Sequence, residues 1–539
     1  FNPDAVKDVK LFKGGIPSMY GGRASSILDV KMKEGNAKKL EVNGGIGVIF
    51  SRLSIEAPIV KDKASFIVAA RRSYIDVLAK PFLTGNNANS KFSFYDLTAK
   101  VNYTINKKNT VFMSGYFGRD VFGTGFGFDW GNTTLTTRWN HVFSNKLFLN
   151  ATAFYSNYDY MLDSDIENKR PNDAFKWTSN IENLSIKPDF TYYWRPDNTI
   201  TFGGQLLTYD FTPGKANATS NGEKREFGQA NKQGVEASAY VGHDWKINSR
   251  LTIQYGVRYS HYDYKSLNGE YYDRIPVVIS TENPSGYVLK INQTDPNAVV
   301  ASYGNWEPRF ALNVTGNESS SLKLSYNRLA QYIHLMSNTA ASTPLDVWTS
   351  STNNIKPQIV DQLALGLFKN FGPDGNNYES SIEVYYKDMQ NQIDYADRAN
   401  LFLNPYFEKD LLFGKGRAYG IEFFLKKNVG KLTGWASYTL ARTERKIEGL
   451  NNNEWYANRY DRTHTLNLVG QYSLSDKWSF GANFALQSGQ PVTYPTGYYE
   501  YLGVKVPHYG LRNENRLPAY HHLDISATLT PRSNKDRNW

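Results

Sequence analysis

The sequence predicts an all-β protein, a transmembrane antiparallel up-and-down β-barrel, on the strength of three observations. Aromatic residues reach 15% of the 539-residue chain, although the mean hydropathy is only −0.53. Apolar and polar residues alternate with a period of two along nearly the whole chain. Tight polar turns alternate with long irregular connections. Outer-membrane barrels combine these features, because their strands face lipid on one side and water on the other.

The alternation is clearest between residues 251 and 260. One face there is apolar and is expected to meet lipid, while the other is polar and is expected to line the lumen: Leu251, Ile253, Tyr255 and Val257 against Thr252, Gln254 and Arg258. Many such segments run for ten or more residues, as a tilted membrane strand requires, whereas globular strands usually run for ~5–6 residues. No apolar stretch is long enough for a transmembrane helix, which needs roughly 18 or more residues.

The connections separate a barrel from a β-sandwich or a β-propeller. Tight turns are predicted at 61–63, 106–109, 144–146, 196–198, 248–249, 316–320, 372–377 and 475–476. Long connections are predicted at 75–91, 119–131, 161–176, 213–231, 266–303, 333–356, 391–415, 447–459 and 491–518. A propeller would show a repeat of near-constant length, and none is found. About twenty strands are predicted, the first near 39–47 and the last near 519–530. A polar turn at 532–538 indicates that at least one more hairpin is missing.

Charge, cysteine and histidine exclude several classes of function. The formal charge is +10, but 61 Lys and Arg are scattered among 51 Asp and Glu, so we expect no nucleic-acid partner. The excess fits a basic lumen or contact with anionic lipid headgroups. Cysteine is absent and the eight histidines have no zinc-type spacing, so no metal site is expected. Because neither a nucleophile elbow nor a phosphate loop occurs, we expect no catalytic residue, no cofactor and no enzyme activity.

Residues 1–38 follow a different pattern, a short alternating strand and two glycine turns. Lys13-Gly14-Gly15-Ile16-Pro17 breaks the first strand, and Tyr20-Gly21-Gly22 makes a second turn before a strand at 26–30. The segment resembles the end of the plug domain of TonB-dependent transporters, in which Lys-Gly and Tyr-Gly pairs precede a final strand. The sequence from Gly14 to Ser26 resembles that of the family branch found in Bacteroidota. Members of this branch often carry a preceding carboxypeptidase-regulatory-like domain.

The resemblance continues down the chain and covers essentially all of it. Further matching motifs are Ala70 to Tyr74, Gly416 to Glu422, Tyr460 to His464, Ser488 to Pro491, and Tyr520 to Asp524. It implies a barrel of about 22 strands whose lumen is plugged, with residues 1–38 as the end of the plug and 39–539 as the barrel, trimmed at both ends. The family's energy-coupling box does not appear in this sequence, so coupling is inferred from relatives.

The resemblance also implies a location and a function. The protein would lie in the bacterial outer membrane, in contact with its lipid, and import a scarce or bulky nutrient such as a siderophore, cofactor, oligosaccharide or peptide. Energy would come through a TonB-type coupling protein, and a surface lipoprotein or a larger envelope complex is a further expected partner. The alternative is a barrel that serves as a structural subunit of an envelope assembly without transport. A barrel lipase or protease is a weaker alternative, because no nucleophile–base pair stands out.

Aromatic side chains in the long connections are the candidate ligand-binding residues, because rings stack on sugars, porphyrins and aromatic siderophores. The candidates are Tyr494, Tyr498, Tyr499, Tyr501 and Trp348. For each ring, an interfacial girdle or packing between loops stays an open alternative. Arg71 and Arg72 are adjacent near the end of a strand, so one of them should point into the lumen. We expect a plug–barrel salt bridge there, with binding of an anionic ligand as the alternative, since a buried charge needs a partner.

Overall fold

The computed structural model describes residues 2–84, 90–124, 126–164, 174–220, 222–280, 285–336, 347–373, 377–397, 399 and 404–530. Its main feature is one large antiparallel sheet of about 20 strands that forms the wall of a β-barrel. The predicted all-β barrel is therefore confirmed. Among the described residues, no helix has the length and apolar character needed to cross a membrane.

The strands follow one another with little helix between them. In chain order they are β1 (Val6–Phe12), β2 (Ile27–Met32), β3 (Glu41–Ile46), β4 (Phe50–Val60), β5 (Ala64–Ser73), β6 (Lys91–Asn106), β7 (Asn109–Thr124), β8 (Phe126–Val142), β9 (Leu147–Asp163), β10 (Ala174–Arg195), β11 (Asn198–Ser220), β12 (Glu223–Gly228), β13 (Lys232–Lys246), β14 (Leu251–Lys265), β15 (Glu270–Pro276), β16 (Tyr287–Gln293), β17 (Val299–Asn317), β18 (Ser320–Gln331), β19 (Ile333–Met336), β20 (Val347–Ser350), β21 (Gln358–Phe371), β22 (Tyr378–Tyr395), β23 (Leu411–Lys427), β24 (Leu432–Ile447), β25 (Tyr456–Ala457), β26 (His464–Ser473), β27 (Trp478–Gln487), β28 (Pro491–Val492), β29 (Pro495–Tyr501), β30 (Val504–Tyr509), β31 (Asn515–Arg516) and β32 (Tyr520–Leu529). The helical elements are α1 (Ile75–Ala79) and 3-10 turns at Pro3–Ala5, Lys80–Phe82, Phe407–Asp410 and Asn451–Asn453.

The wall strands pair antiparallel with their neighbours along the chain, from β3 and β4 to β27 and β32. Short connections join β4 to β5, β6 to β7, β8 to β9, β10 to β11, β13 to β14, β17 to β18, β21 to β22, β23 to β24 and β26 to β27, all at one end. The connections at the other end are mostly longer, and they carry the two-stranded units β15–β16, β19–β20, β28–β31 and β29–β30. The predicted alternation of short and long connections is found in the structure.

Two of the predicted long connections are wrong. The stretch 119–131 is a hairpin, because β7 and β8 stay paired up to Thr124 and Phe126. Its glycines indicated a loop, but the edge-on contact of Phe92 and Phe122, with ring centroids 5.1 Å apart, supports an extended strand there. In the stretch 213–231, β11 continues to Ser220 and pairs with β12.

The two faces of the wall separate as the alternation predicted. Tyr255 is exposed on the outer face, while Arg258 is fully buried on the lumenal face. In the register of β14 and β17, Arg258 lies opposite Glu307, so both side chains face the lumen. A charge on the lipid face would cost ~2–4 kcal/mol at the membrane midplane, which explains why the arginine takes the inner position.

The N-terminal segment, residues 2–38, lies inside the barrel. Its strands β1 and β2 pair with each other from Phe12 and Ile27 back to Val6 and Met32. Neither pairs with a wall strand in the part of the chain that the structure describes. The segment therefore occupies the lumen as a separate hairpin, held mainly through side chains.

Candidate functional site

The first residues of the N-terminal segment are held against β4 and β5. Asp4 forms an ion pair with Arg52 of β4. Asn2 Nδ2 donates a hydrogen bond to the carbonyl oxygen of Ala70 at 3.3 Å. Because Arg52 lies opposite Arg71 in the β4–β5 register, both arginines belong to the lumenal face of the wall.

The middle of the segment contacts a distant part of the wall, formed by β18, β21 and β23. Gln362 Nε2 donates to the carbonyl oxygen of Lys13 at 2.6 Å. The Ile16 N–H donates to Asn327 Oδ1 at 2.9 Å. Lys13 also forms an ion pair with Glu422, at 2.5 Å. The segment therefore crosses the lumen from one side of the barrel to the other.

Four buried charged residues on β13, β14 and β17 lie on the lumenal face of the wall, in contact with the N-terminal segment. Arg258 lies between Glu236 and Glu307, at 3.7 and 3.8 Å. Arg309 contacts Glu307 at 3.0 Å and donates to the carbonyl oxygen of Pro17. Buried charges are tolerated only when they are paired, and here two arginines balance two glutamates. This set, Glu236, Arg258, Glu307 and Arg309, is called the charge cluster below.

Two glycines of the segment lie directly on the charge cluster. Gly21 packs against the guanidinium of Arg258, and Gly22 packs against the carboxylate of Glu236. Gly22 also has a φ of 74°, a conformation that side-chain-bearing residues rarely adopt. The Tyr-Gly-Gly turn singled out in the sequence therefore has a steric reason.

Arg71 and Arg72 have their ion-pair partners within the barrel. Arg71 Nε donates to Asp96 Oδ2 of the neighbouring strand at 2.6 Å, and the two residues are direct cross-strand partners. Arg72 lies 3.9 Å from Asp76. The expected salt bridge between these arginines and residues 1–38 is not among the ion pairs of the described residues. Arg52, directly opposite Arg71, makes the contact instead because Asp96 already neutralises Arg71.

The hairpin of β19 and β20 is part of the long connection between β18 and β21, and it lies in the lumen. Ile333 packs in a buried cluster with Tyr209 of β11 and Tyr262 of β14. Met336 and Val347 pack in a second buried cluster that includes residues of β9, β10 and β22. These two clusters draw residues from strands on several sides of the barrel, so the hairpin narrows the lumen at this level.

His334 of β19 is buried within this hairpin. Its Nε2 lies 2.9 Å from Ser351 Oγ. Burial, together with the positive charges of Lys232 and Arg23, lowers the pKa of His334 to about 3. The imidazole is therefore neutral at physiological pH.

A buried ion pair joins the first residue of β13 to the 3-10 turn at Phe407–Asp410. Lys232 Nζ contacts Glu408 and donates to Thr349 Oγ1 of β20, the latter at 2.9 Å. Burial by itself would raise the pKa of Glu408, but Lys232 and the hydrogen bonds from Asn354 and Thr352 lower it below its ordinary value. The pair thus connects three of the long connections.

The predicted aromatic ligand residues do not form one group. Tyr499 and Tyr501 share one face of the β29–β30 hairpin, because they are two residues apart on one strand. They lie opposite Val506 and Val504. Tyr498 lies on the other face, and Tyr494 precedes the hairpin. All four are exposed. Trp348 lies elsewhere, on β20, packed at the edge of the buried cluster around Tyr262. A shared role of these five rings in ligand binding stays a prediction.

The sequence reasoning missed the residues of the charge cluster other than Arg258, and also missed Lys232 and Glu408. A charged residue at a lumenal position of a strand is the signal that identifies Glu236 and Glu307. The hydrogen bond of Lys232 to β20 and its ion pair with Glu408 are invisible in the sequence because the partners are 117 and 176 residues away. Within the described ranges, no group of three or more His, Asp or Glu side chains is arranged to hold a metal ion.

Comparison with protein families gives one match. The family described as TonB dependent receptor-like, beta-barrel, matches residues 66–539. No curated protein matches the chain.

Solved structures with the same fold are numerous. The chain is similar to the copper transporter OprC, with a TM-score of 0.68 and 12% identity over 99% of this chain and 79% of that one. It is similar to the FrpB iron transporter from Neisseria meningitidis, with a TM-score of 0.64 and 12% identity over 98% and 81%. It is also similar to the ferric-catecholate import receptor Fiu from Escherichia coli K12, with a TM-score of 0.65 and 13% identity over 98% and 80%.

Proposed function

Because the chain belongs to the TonB-dependent receptor family, we propose that it imports a scarce or bulky nutrient and that residues 1–38 are the end of its plug. The family consists of outer-membrane transport receptors, so the protein is an outer-membrane receptor and not an enzyme. Its family works with TonB-type energy-coupling proteins. The nutrient classes that we propose are a siderophore, a cofactor, an oligosaccharide or a peptide.

The observation that supports this proposal most directly is the way the N-terminal segment is attached. Strands β1 and β2 pair only with each other among the described strands, and the segment meets the wall mainly through side chains such as Asp4 and Lys13. Contacts of this kind can be broken without opening the sheet of the wall. A gated import path requires a segment that can detach from the wall while the barrel stays intact.

The direction of import follows from the two ends of the barrel. In outer-membrane barrels the short turns face the periplasm and the long loops face outward. The long connections would then receive the nutrient, and a coupling protein would act on the plug from the side of the short turns. The charge cluster is the contact that such a pull must release, since Arg258 and Arg309 hold the segment at Gly21 and Pro17.

A structural role in an envelope assembly is the second candidate. The β29–β30 hairpin supports it, because Tyr499, Tyr501 and Val504 form an exposed apolar face and exposed apolar patches mark interaction sites. A surface lipoprotein or another envelope protein is the partner we propose for such a face. A barrel with this role alone would keep its plug fixed.

The test is a disulfide that ties the segment to the wall, which the absence of native cysteine makes possible. In the full-length receptor, Gly14→Cys with Ala364→Cys joins the segment to β21, because a β-carbon on Gly14 would lie 3.3 Å from that of Ala364. The matched control, Arg71→Cys with Asp96→Cys, joins two neighbouring wall strands. Uptake of labelled siderophores, cofactors, oligosaccharides and peptides is compared with that of a strain lacking the coupling protein.

We expect the first disulfide to abolish uptake and a reductant to restore it, while the control disulfide leaves uptake unchanged. Unimpaired uptake with the segment fully cross-linked would contradict the proposed movement. A receptor that takes up none of these nutrients in any form would favour the structural role.

A further inference from the structure

The outer face of β23 and β24 changes from apolar to basic toward the end of the barrel that carries the long connections. Side chains alternate along a strand, so the outer face of β23 includes the exposed Phe423 and every second residue from it. Nearer the short turns this face is apolar, with Phe423 and Ile421 on β23 and Leu440 on β24. Beyond them it carries four cations, which we call the basic strip: Lys415, Arg417, Arg442 and Lys446.

One buried carboxylate holds the two arginines of the basic strip. Arg417 Nη2 lies 2.7 Å from Glu444 Oε2, and Arg442 Nε lies 2.8 Å from Glu444 Oε1. The side chain of Glu444 is only 7% exposed, whereas that of Arg442 is 55% exposed. The terminal nitrogens of Arg442 make no hydrogen bond with the described residues. Two guanidinium groups against one carboxylate leave a positive charge and unused N–H donors at the surface.

The two lysines of the basic strip add to this excess. Lys415 and Lys446 lie directly opposite each other in the β23–β24 register and are both exposed. Neither forms an ion pair with the described residues, and like charges directly opposite each other destabilise a sheet. Asp388 of β22, opposite Arg417, is the second carboxylate near the strip, so four cations face two carboxylates. An anion from outside the chain would balance the remaining charge.

The basic strip borders an open groove of about 770 Å³ in the outer face of the wall. Its outward-facing side chains are two arginines and four apolar or aromatic residues: Arg417, Arg442, Tyr386, Tyr419, Ile421 and Leu440. Arg442 lies two residues beyond Leu440, which is ~5 Å along the barrel axis at the usual rise and tilt of a barrel strand. One end of a ligand bound here would contact apolar side chains, and the other would contact guanidinium groups.

A phosphorylated lipid has both of these chemical parts. Its phosphate oxygens accept paired hydrogen bonds from arginine, and its acyl chains match the apolar side chains next to the strip. A soluble anion would use the strip alone and leave the apolar part of the groove uncovered. The guanidinium of Arg417 also stacks on the ring of Trp455, 4.2 Å from its centroid, and tryptophan is enriched where a membrane meets water.

We propose that the basic strip and its groove bind the phosphorylated headgroup of a lipid in the outer leaflet of the outer membrane. The long connections of such barrels face outward, so the strip lies at the level of that leaflet. Arg417 and Arg442 hold the phosphate, and the acyl chains cover Ile421 and Leu440. The site faces away from the lumen, so this inference does not depend on the proposed import function.

The test is native mass spectrometry of the purified full-length receptor in a neutral detergent, with bound lipid counted as its concentration is raised. The probes are diphosphorylated lipid A and the same lipid with its phosphates removed, and inorganic phosphate is the soluble competitor. The first variant is Arg417→Gln with Arg442→Gln. The second is Lys415→Gln with Lys446→Gln, which leaves Glu444 and its two arginines in place.

The matched control is Arg119→Gln, which removes an outer-face arginine of β7 near the same end of the barrel. Two carboxylates already neutralise Arg119, since Asp129 and Asp159 lie 3.2 and 2.6 Å from it. It should therefore contribute nothing to the binding of an anionic lipid.

We expect the diphosphorylated lipid to bind and the dephosphorylated lipid to bind at least about tenfold more weakly, as the loss of hydrogen bonds to a charged group does. The arginine variant should lose a similar factor and the lysine variant about threefold, whereas the control should bind as the wild type does. A loss in the lysine variant cannot come from an unpaired Glu444, so it separates lipid binding from local unfolding of β24.

The proposal is overturned if both forms of the lipid bind equally, or if neither double variant differs from the wild type. Inorganic phosphate that displaces the lipid at equal concentration would also overturn it, in favour of a soluble anion. The measurement involves no uptake, so failure of this proposal leaves the import function untouched.

Discussion

Gly21 lies so close to Arg258 that a β-carbon on residue 21 would stand 2.2 Å from the guanidinium Nε. The backbone of the N-terminal segment thus packs flat on the buried arginine, and any side chain at this position would push the two apart. This contact joins the segment to the charge cluster at Arg258, one of its two fully buried members.

We therefore expect Gly21→Ala to loosen the segment from the wall. Overpacking of a tight contact costs about 1–3 kcal/mol, and Arg258, held between two glutamates, has little room to move. Amide hydrogen exchange of β1 and β2 should increase. Gly497→Ala is the control, since no heavy atom lies within 4 Å of the added carbon. Equal exchange in both variants would contradict the steric role of Gly21.

Glu307 is the shared partner of Arg258 and Arg309, and its loss should be costly. Glu307→Gln leaves two buried arginines with one glutamate between them. We expect the free energy of unfolding in phospholipid bilayers to fall by about 3–5 kcal/mol, as when one member of a buried ion pair is removed. Glu223→Gln, which breaks an exposed pair with Arg225, should leave stability nearly unchanged. A similar small effect for both would show that the charge cluster is dispensable.

His334 should make the β19–β20 hairpin sensitive to acid. Its folded-state pKa of about 3 lies below the ordinary value of about 6.5, so the unfolded hairpin binds more protons between these two values. The stability that the hairpin gains from burying the neutral imidazole of His334 is complete above pH ~6.5 and is lost as the pH falls toward 3. By about pH 5 the loss should reach about 2 kcal/mol, visible as faster amide exchange of β19. His334→Phe should remove the pH dependence; if it persists in this variant, another group is responsible.

The two faces of the β29–β30 hairpin should contribute unequally to ligand binding. Tyr499 and Tyr501 share a face, whereas Tyr498 points the other way. If the hairpin contacts the ligand through the tyrosine pair, Tyr499→Ala and Tyr501→Ala should each weaken binding by about 1–3 kcal/mol, the scale of aromatic stacking. Tyr498→Ala is the matched control. Titration of the oligosaccharide or chelate that the wild type binds would decide, and equal losses at all three positions would argue against a one-sided platform.

The barrel could be predicted because its determinants are local. Alternation along β14 places Tyr255 and Arg258 on opposite faces without any knowledge of other strands. The tight turns are encoded in the few residues that form them. Both rules depend on neighbours along the chain, and they gave the first and last wall strands to within a few residues.

The contacts across the lumen could not be predicted in the same way. Lys13 and Glu422 are 409 residues apart, and nothing in either neighbourhood specifies the other. Arg71 shows the same limit. Its direction into the lumen follows from alternation, but its choice of Asp96 over a plug carboxylate depends on the register of β5 and β6. The glycines around residue 125 indicated a loop because composition alone does not show that β7 and β8 continue to pair.

The pairing of β1 with β2 determines how the lumenal hairpin responds to mechanical force. The open end of this hairpin is at Val6 and Met32. Tension applied near Asn2, with the chain anchored at β3, would therefore break the hydrogen bonds between β1 and β2 one after another. Unzipping the strands in this way needs far less force than shearing all of these hydrogen bonds at once. Straightening the chain from Val6 to Met32 would release roughly 90 Å of extended polypeptide. Once the charge cluster has been released, a coupling protein acting from the periplasm would thus need a long displacement and only a weak force to unfold the hairpin itself.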